Sequence, residues 1–427
     1  MNSFSIDYGA QTLTATLDWG TSLGAIDIRE APSLHAPERA LEESLCRPIG
    51  GEGHFLDGIV PGDRVCILVS DAYRKTGIAT LLPKLLEALA ERGVASESIQ
   101  FLFASGIHRP PNTAQQREIL GADVYDRFGA RAWTHDPYDD AAHVLLGTTS
   151  RGTPVEINRR AVECDRLIVT GTVVLHYFGG FGGGRKGVVP GVASARTIAH
   201  NHAMNLHPSE NRLHPDVRIG VTDGNPVAED MLEAAGMVPV HGIINTVLNR
   251  RNDIAGIFVG EMRAAHHEAC AFARDLYAVP IARRADFVIA SAGPARNYVQ
   301  SHKALYNAYQ AIKPDGTIIF LAPCEEGLGG DHIEKWLRLG TSDDIIAALR
   351  VKSEIYGQTA LSTREKARQA LLLTEMDEAK VRMLGARKAD TLSAALDATR
   401  RAHGDRATYY VMRSEEHTSE LQSPCNL

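Results

Sequence analysis

Two histidines, His108 and His176, follow predicted strands and have the side-chain chemistry of acid–base catalysts. His108 lies in ASGIHRPP, and His176 opens the glycine-rich loop HYFGGFGGGRKGVVPG. An imidazole titrates near neutral pH, so it can take up a proton and return it within one catalytic cycle. Taken alone, each histidine is at least as consistent with an ordinary surface residue as with a catalyst. Together with a loop lysine and a predicted anion-binding pair, they suggest acid–base chemistry on a small anionic substrate.

The glycine loop, residues 176–191, contains seven glycines together with Arg185 and Lys186. Ordering so many glycines costs conformational entropy, which a bound ligand could offset. The Lys186 amine could hold a phosphate or form a covalent bond. The loop is not a P-loop, because Arg185 stands where a glycine must precede the lysine. A dinucleotide-binding GxGxxG match is weak, since His176 and aromatic residues separate it from the strand. A glycine-rich turn without a ligand is the simpler alternative.

Two further features add candidate residues, a histidine near the end of a helix and a polar pair at the start of another. His202 lies sixteen residues after Lys186, near the end of a short predicted helix, and could bind a metal ion. His200 is a rival ligand, and a polar residue on a helix face is the plain alternative. Gln300 and Lys303 lie three residues apart in QSHK, on one face of the first turn of a predicted helix. Such a pair could grip a carboxylate with help from the helix N-terminus, although both could simply face solvent.

The composition is that of an ordinary globular protein of 427 residues. Apolar residues make up 44% and charged residues 23%, with a net charge of −7. Neither a nucleic-acid surface nor a membrane surface is indicated, and we see no signal peptide and no membrane span. The six cysteines form no CxxC pair, which favours a reduced, cytoplasmic setting.

Alternating strands and helices predict an α/β fold. Apolar runs at 64–70, 98–104 and 165–171 read as strands, and 78–93 has helical spacing. The pattern restarts near residue 280. We therefore predict two α/β domains with largely parallel sheets and an active-site cleft between them. Since ligands bind beyond the carboxyl ends of strands in such sheets, the polar stretches that follow these strands could face one cleft.

The predicted domains cover residues 1–275, with the glycine loop and both candidate histidines, and 276–412, with the carboxylate-binding pair. Within the second domain, residues 360–384 read as helix-rich. Residues 413–423, RSEEHTSELQS, match the translation of a common sequencing-library adapter, and we interpret the whole tail, residues 413–427, as derived from it. We exclude this tail from fold reasoning as non-native.

Five segments occur along the chain in the order DAYR, GIHRP, LHYFGGFGGGRKGVVPG, ARTIAHNH and YVQSHKAL. With these segments the chain resembles the nickel-pincer-nucleotide-dependent lactate racemase family. The resemblance runs from about residue 5 to residue 412. The HxxGGxxGGRK core with a histidine sixteen residues later is its most specific part. The family commonly has a DHTR-like string where this chain has DAYR, so Ala72 and Tyr73 depart from the pattern.

The resemblance implies a role for each candidate residue. Lys186 would form a covalent link to the cofactor, a Ni(II)-pyridinium-3,5-bisthiocarboxylate mononucleotide called the nickel-pincer nucleotide, and His202 would be the protein ligand of nickel. The other implied roles are acid/base for His108 and His176, substrate carboxylate binding for Gln300 and Lys303, and cofactor contact for Asp71, Ala72, Tyr73 and Arg74. Separate cofactor-biosynthesis enzymes would be needed to activate the protein.

The implied reaction is inversion of the α carbon of a small-molecule 2-hydroxy acid, with lactate as the default substrate. The α-hydrogen is a poor acid, so we expect hydride transfer coupled to loss of the hydroxyl proton. One histidine would take that proton from one enantiomer, and the other histidine would serve the mirror enantiomer.

Three alternatives stay open at this stage. The first is a NAD-dependent 2-hydroxy acid dehydrogenase, which shares hydride chemistry and an α/β fold. The second is a zinc hydrolase built on His200, His202 and His207, although no acidic ligand lies nearby in sequence. The third is a non-catalytic carrier of the nickel cofactor.

Overall fold

A computed structural model describes residues 2–412. The predicted adapter-derived tail, residues 413–427, lies outside the described residues. In chain order the strands and helices are β1 (Asn2–Tyr8), β2 (Gln11–Leu17), β3 (Thr21–Ile26), α1 (Pro37–Cys46), β4 (Val65–Ser70), α2 (Ile78–Glu91), β5 (Ile99–Ala104), α3 (Thr113–Leu120), α4 (Ala122–Phe128), β6 (Ala132–Thr134), β7 (His143–Thr148), β8 (Pro154–Asn158), α5 (Arg159–Val162), β9 (Arg166–Thr172), β10 (Leu175–His176), β11 (Gly180–Phe181), α6 (Ala195–Ala203), α7 (Pro226–Gly236), β12 (Val240–Leu248), β13 (Ile254–Gly260), α8 (Met262–Tyr277), β14 (Ala285–Ser291), α9 (Tyr298–Gln310), β15 (Ile312–Leu321), α10 (Asp331–Leu337), α11 (Ser342–Val351), α12 (Ile355–Ala367), β16 (Ala370–Leu373), α13 (Glu378–Leu384), β17 (Arg387–Ala389), α14 (Leu392–His403) and β18 (Thr408–Met412).

The chain forms two compact units. The first unit comprises Glu30–Asn205 and Pro215–Leu276, and the second comprises the remaining described residues. The predicted boundary near residue 275 falls close to this division. Residues 2–29, which we expected in the N-terminal domain, belong to the second unit instead. The reason is strand pairing, because β3 adds in parallel to the edge of β18 in the second sheet.

The first unit is built on a six-stranded sheet in the order β13-β12-β9-β4-β5-β6. All neighbouring pairs are parallel except β12 and β13, which are antiparallel. Strand β4 is a run of apolar side chains buried in the centre of this sheet. Helix α2 packs its leucines into the same core, and its apolar residues recur at helical spacing. The predicted α/β class is confirmed in this unit.

The second unit contains a six-stranded sheet in the order β17-β16-β15-β14-β18-β3, in which every neighbouring pair is parallel. An antiparallel hairpin, β1 and β2, packs Phe4 and Ile6 into its core. Helices α9 and α14 contact the strands of this sheet. Two α/β units with largely parallel sheets therefore agree with the predicted fold class.

The helix-rich interpretation of residues 360–384 is confirmed at both ends, in α12 and α13, but it missed a strand between them. Residues 370–373, ALLL, form strand β16, which pairs in parallel with β15 and β17. Alanine and leucine favour helices, so local propensity gave no sign of the strand. Burial of all four residues between two strands overrides that preference.

Among residues 2–412, no helix is both long and apolar enough to cross a membrane. The five cysteines of the described part of the chain are free thiols, and Cys66 is buried.

Candidate functional site

Three neighbouring strands of the first unit end beside the candidate catalytic residues. Strands β9, β4 and β5 are adjacent and parallel, so their carboxyl ends share one edge of the sheet. Asp71 directly follows β4, His108 lies four residues beyond β5, and His176 lies four residues beyond β9. The sheet topology therefore delivers all three side chains to the edge where parallel α/β sheets bind ligands.

Asp71 and His108 form a hydrogen-bonded pair. The Asp71 Oδ2 and His108 Nδ1 atoms are 2.7 Å apart. Burial acts to raise the pKa of Asp71, but the hydrogen bond from His108 and the charge of Arg74 outweigh it and hold this pKa below its usual range. Because the carboxylate is ionised, it accepts the hydrogen bond, and Nδ1 of His108 carries the proton. Nε2 of the neutral imidazole then has a lone pair and can act as a base.

Tyr73, one of the two residues that depart from the family's string, contacts this pair. The Tyr73 backbone N–H donates to Asp71 Oδ1 at 3.0 Å, and the Tyr73 ring packs edge-on against the His108 ring with centroids 5.3 Å apart. Tyr73 is exposed, whereas Ala72 and Arg74 are half-buried. Tyr73 therefore shields one side of the His108 imidazole without reaching into the core.

His176 is held differently. It lies in the short strand β10 and is buried. Its Nδ1 accepts two backbone N–H groups, those of Phe178 and Gly179, each at 3.1 Å. The His176 ring also stacks on Tyr177 with centroids 5.1 Å apart. The backbone of the loop thus fixes both the position and the orientation of this imidazole.

Lys186 lies in a 3₁₀ turn, Gly184–Gly187, within the glycine loop. The turn is attached to strand β12, since the Gly184 N–H donates to Asn245 Oδ1 at 2.7 Å. The preceding Gly183 has φ +71°, and a Cβ there would lie 2.6 Å from Val173 Cγ2. This glycine is therefore required by close packing of the loop against its own strand, a reason distinct from the ligand approach inferred from sequence.

His202 lies in helix α6, whose N-terminus is capped by Ser194. Its Nδ1 is buried and has no hydrogen-bond partner among the described residues. Burial, assisted by the nearby Lys186 charge, lowers the pKa of His202 to about 4. The ring is therefore neutral at pH 7 and has a lone pair available for a metal ion. The rival ligand His200 is exposed, and the edge of the buried His202 ring instead packs against Phe178.

No group of three or more histidine, cysteine, aspartate or glutamate side chains within residues 2–412 is arranged to hold a metal ion. His207, the third member of the proposed zinc set, belongs to the second unit. Its Nδ1 accepts the backbone N–H of Glu210 at 3.1 Å. The zinc-hydrolase alternative therefore lacks its ligand set in the described chain.

Gln300 and Lys303 lie in the first turns of α9 in the second unit, where the sequence placed them. Asn297 caps this helix by accepting the Gln300 N–H at 3.1 Å. Gln300 is exposed, and its Oε1 accepts the Arg296 N–H at 3.0 Å, which leaves the amide nitrogen as its donor group. Lys303 is half-buried one turn further along the same face.

Sequence reasoning missed the residues that support the glycine loop. Arg185 is buried, donates to Gly179 O at 2.7 Å and contacts the His266 imidazole. His266 in turn donates to Gly182 O at 2.8 Å. Asn245 in β12 could have been noticed as a lone amide in the apolar run IINTVL, but His266 lies in a polar stretch of helix and gave no signal.

Known lactate racemases are similar to this chain in sequence. A family model described as the lactate racemase N-terminal domain matches residues 8–213. The lactate racemase of Thermoanaerobacterium thermosaccharolyticum is 32% identical over 305 residues, which are 70% of this chain and 69% of that protein. The lactate racemase of Lactiplantibacillus plantarum is 33% identical over 339 residues, 78% of this chain and 77% of that protein.

Solved structures agree with these sequence matches. The lactate racemase apoprotein from T. thermosaccharolyticum has a TM-score of 0.82 at 26% identity, over 96% of this chain and 98% of that one. A Thermotoga maritima protein shares the fold, with a TM-score of 0.65 at 18% identity over 90% of this chain and 100% of that one. These relatives and the family model show an isomerase of the racemase class. The chain belongs to the lactate racemase family.

Proposed function

We propose that this racemase inverts the α carbon of a lactate-like 2-hydroxy acid with a nickel-pincer nucleotide attached to Lys186. The observation that carries the proposal is the arrangement of one sheet edge. There Asp71 follows β4, and the two strands that flank β4 are followed by His108 and by the loop with His176 and Lys186. The lactate racemases among the relatives have the same reaction class.

The residues present suit the cofactor. Lys186 is half-buried on a turn fixed by Asn245, and a lysine amine can form a covalent bond, which supports its role in the attachment. His202 offers a neutral imidazole with an unpaired buried nitrogen, which suits nickel(II). We assign contact with the cofactor to Asp71, Ala72, Tyr73 and Arg74. When bound, the cofactor would supply a hydride acceptor.

The chain's own residues handle the substrate oxygen and carboxylate. His108 takes the hydroxyl proton at Nε2, while the Asp71 carboxylate stabilises the imidazolium that forms. His176 is the second acid–base residue of the pair. Gln300 and Lys303 bind the substrate carboxylate through an amide N–H and an ammonium. Because the hydroxyl proton is removed while the hydride leaves, less positive charge accumulates on the substrate.

The function is tested by co-expression with the cofactor-making enzymes and nickel. A single enantiomer of each acid in a 2-hydroxy-acid panel is incubated with wild type, Lys186→Ala or the exposed control Lys352→Ala. We expect chiral chromatography to show the opposite enantiomer with wild type and Lys352→Ala only. No conversion by nickel-loaded wild type would reject the proposal. Conversion to a keto acid only when NAD is added would identify a dehydrogenase instead.

A further inference from the structure

Cys324 has a backbone conformation that residues with a side chain rarely adopt. Its φ is +50°, and of the described residues other than glycine only Asn252 also has a positive φ. Such a conformation costs free energy and persists only where the surrounding structure holds it in place. Burial raises the pKa of the Cys324 thiol to about 11, so the sulfur is protonated at neutral pH and is a poor nucleophile. The conformation of Cys324, and not its reactivity, is therefore the feature that needs a reason.

The loop that starts at Cys324 runs beside the start of helix α9. Strands β14 and β15 are parallel neighbours, so the segments that follow them lie at the same edge of the second unit's sheet. Three backbone hydrogen bonds join the two segments. They run from Glu326 N to Arg296 O (2.8 Å), from Tyr298 N to Gly327 O (2.9 Å) and from Val299 N to Leu328 O (3.2 Å). This short ladder fixes the place where α9 begins.

Cys324 sets the direction in which the loop leaves β15. The residue before it, Pro323, is anchored, because its carbonyl accepts the Glu375 N–H at 2.8 Å. On the other side, the Gly327 N–H donates to the Cys324 carbonyl at 2.8 Å and closes a turn. The buried Cys324 Sγ lies 3.5 Å from Ser301 Oγ on α9. The positive φ of Cys324 thus turns the chain from the anchored end of the strand into the ladder with α9.

From these contacts we infer that Cys324 is a positioning residue, which orients Gln300 through the loop and Arg296. The inference rests on the proposed function, in which Gln300 binds the substrate carboxylate. The Glu326 N–H holds the Arg296 carbonyl, and the Arg296 N–H donates to Gln300 Oε1 at 3.0 Å. An exposed ion pair, Glu326 Oε1 to Arg296 Nη2 at 3.0 Å, adds to this link. Since the Gln300 oxygen is occupied, its amide nitrogen is the end that donates to a carboxylate.

Two substitutions of Cys324 separate its conformation from its thiol. Glycine adopts φ +50° without strain, whereas valine, whose size is close to that of cysteine, does not tolerate a positive φ. In the nickel-loaded enzyme we expect Cys324→Gly to keep the wild-type KM for lactate. We expect Cys324→Val to raise KM about tenfold, as for one lost hydrogen bond to a charged group, with kcat within about twofold of wild type. A wild-type KM in Cys324→Val, or a Cys324→Gly enzyme as impaired as Cys324→Val, would overturn the inference.

Gly385→Val is the matched control for backbone strain in the same unit. Gly385 has φ +90° and ends helix α13 just before β17, so it lies at the opposite edge of the sheet from the start of α9. Valine at this position should lower the denaturation midpoint, as in Cys324→Val, but should leave KM unchanged. If Gly385→Val raises KM equally, loss of stability alone accounts for the effect and the positioning role is rejected.

Hydrogen–deuterium exchange of the full-length apoprotein tests the same link without substrate or cofactor. Mass spectrometry of a peptide covering residues 296–300 reports the amides of Tyr298 and Val299, which donate to the loop. We expect this peptide to exchange about tenfold faster in Cys324→Val than in wild type, Cys324→Gly or Gly385→Val. Equal exchange in all four proteins would overturn the inference, and so would unprotected exchange in wild type, which is measurable even if Cys324→Val does not fold. Failure of wild type to racemise lactate, with the expected exchange pattern, would reject the proposed function and leave the positioning role of Cys324 standing.

Discussion

The Asp71 carboxylate and the His108 imidazole are 2.7 Å apart at Oδ2 and Nδ1, but they differ sharply in exposure. The Asp71 side chain is 3% exposed and the His108 side chain 43%. The carboxylate is therefore shielded and fixed, while the other edge of the imidazole can reach a substrate. This is the arrangement expected of a base oriented by a buried carboxylate.

Replacing that carboxylate should remove catalysis without removing the cofactor. In Asp71→Asn the neutral amide no longer fixes the Nδ1–H tautomer and no longer stabilises the imidazolium. We expect racemisation to fall about 100-fold or more, with nickel content unchanged. Chiral chromatography of the loaded enzyme measures the rate. Asp123→Asn, at an exposed helix position, is the matched control and should retain wild-type activity. Equal activity of the two variants would disprove the orienting role of Asp71.

Nickel binding distinguishes His202 from its neighbour. His202→Leu removes a buried imidazole with an unpaired nitrogen, so the apoprotein's free energy of unfolding should change by no more than about 1 kcal/mol. Nickel should be lost, while a mass increase at Lys186 from the attached nucleotide should persist. His200→Leu, at the exposed position two residues earlier, should keep nickel. Retention of nickel in His202→Leu together with loss in His200→Leu would reverse the assignment.

Gly183 should tolerate no side chain. In Gly183→Ala the new Cβ would lie 2.6 Å from Val173 Cγ2 and 2.7 Å from Asn245 Oδ1, on a backbone with φ +71°. We expect a loss of about 3 kcal/mol or more in the free energy of unfolding, from strain and displaced neighbours together. Gly152 also has positive φ, +88°, but a Cβ added there would have nothing within 4 Å. Gly152→Ala should cost only about 1 kcal/mol, and denaturant titration compares the two.

The buried imidazole of His135 predicts a loss of stability in acid. Burial lowers the pKa of His135 to about 4, below its usual value near 6.5. Between these values the unfolded chain binds a proton that the folded chain does not, so stability falls as pH falls from about 6.5 to about 4. The contribution is at most about 1.4 kcal/mol per pH unit.

His135→Gln keeps a donor for the Ala193 carbonyl, which His135 contacts at 2.9 Å, but does not titrate. Its denaturation midpoint should therefore depend less steeply on pH over this range. His267→Gln, at an exposed position, should follow the wild-type pH dependence. If the denaturation midpoints of wild type, His135→Gln and His267→Gln depend equally on pH, His135 is not a source of the acid sensitivity.

The sequence predicted most of the fold because buried parallel strands leave an unmistakable pattern. VCILVS in β4 is continuously apolar, and its neighbours resemble it. Strand β16 could not be predicted, since its sequence ALLL suits a helix equally well. Only pairing with β15 makes this segment a strand. The transfer of residues 2–29 to the second unit depends on the long-range pairing of β3 with β18, which no local pattern encodes.

Motifs in the sequence mark the candidate residues but do not give their geometry. The loop motif marked His176 and Lys186, and the strand pattern placed Asp71 and His108 at one edge. The direction of each imidazole hydrogen bond depends on which atom faces Nδ1, a carboxylate in one case and backbone N–H groups in the other. Spacing in the sequence carries no such information.

The central claim, inversion by transfer of the α-hydrogen itself, is tested most directly with one labelled substrate. Nickel-loaded enzyme is given a single enantiomer of lactate with deuterium at the α carbon, in ordinary water. The opposite enantiomer is then isolated by chiral chromatography and its deuterium content is measured by mass spectrometry. We predict that the inverted product appears and keeps its deuterium. An inverted product that carries hydrogen from water, or no inverted product at all, would contradict the account.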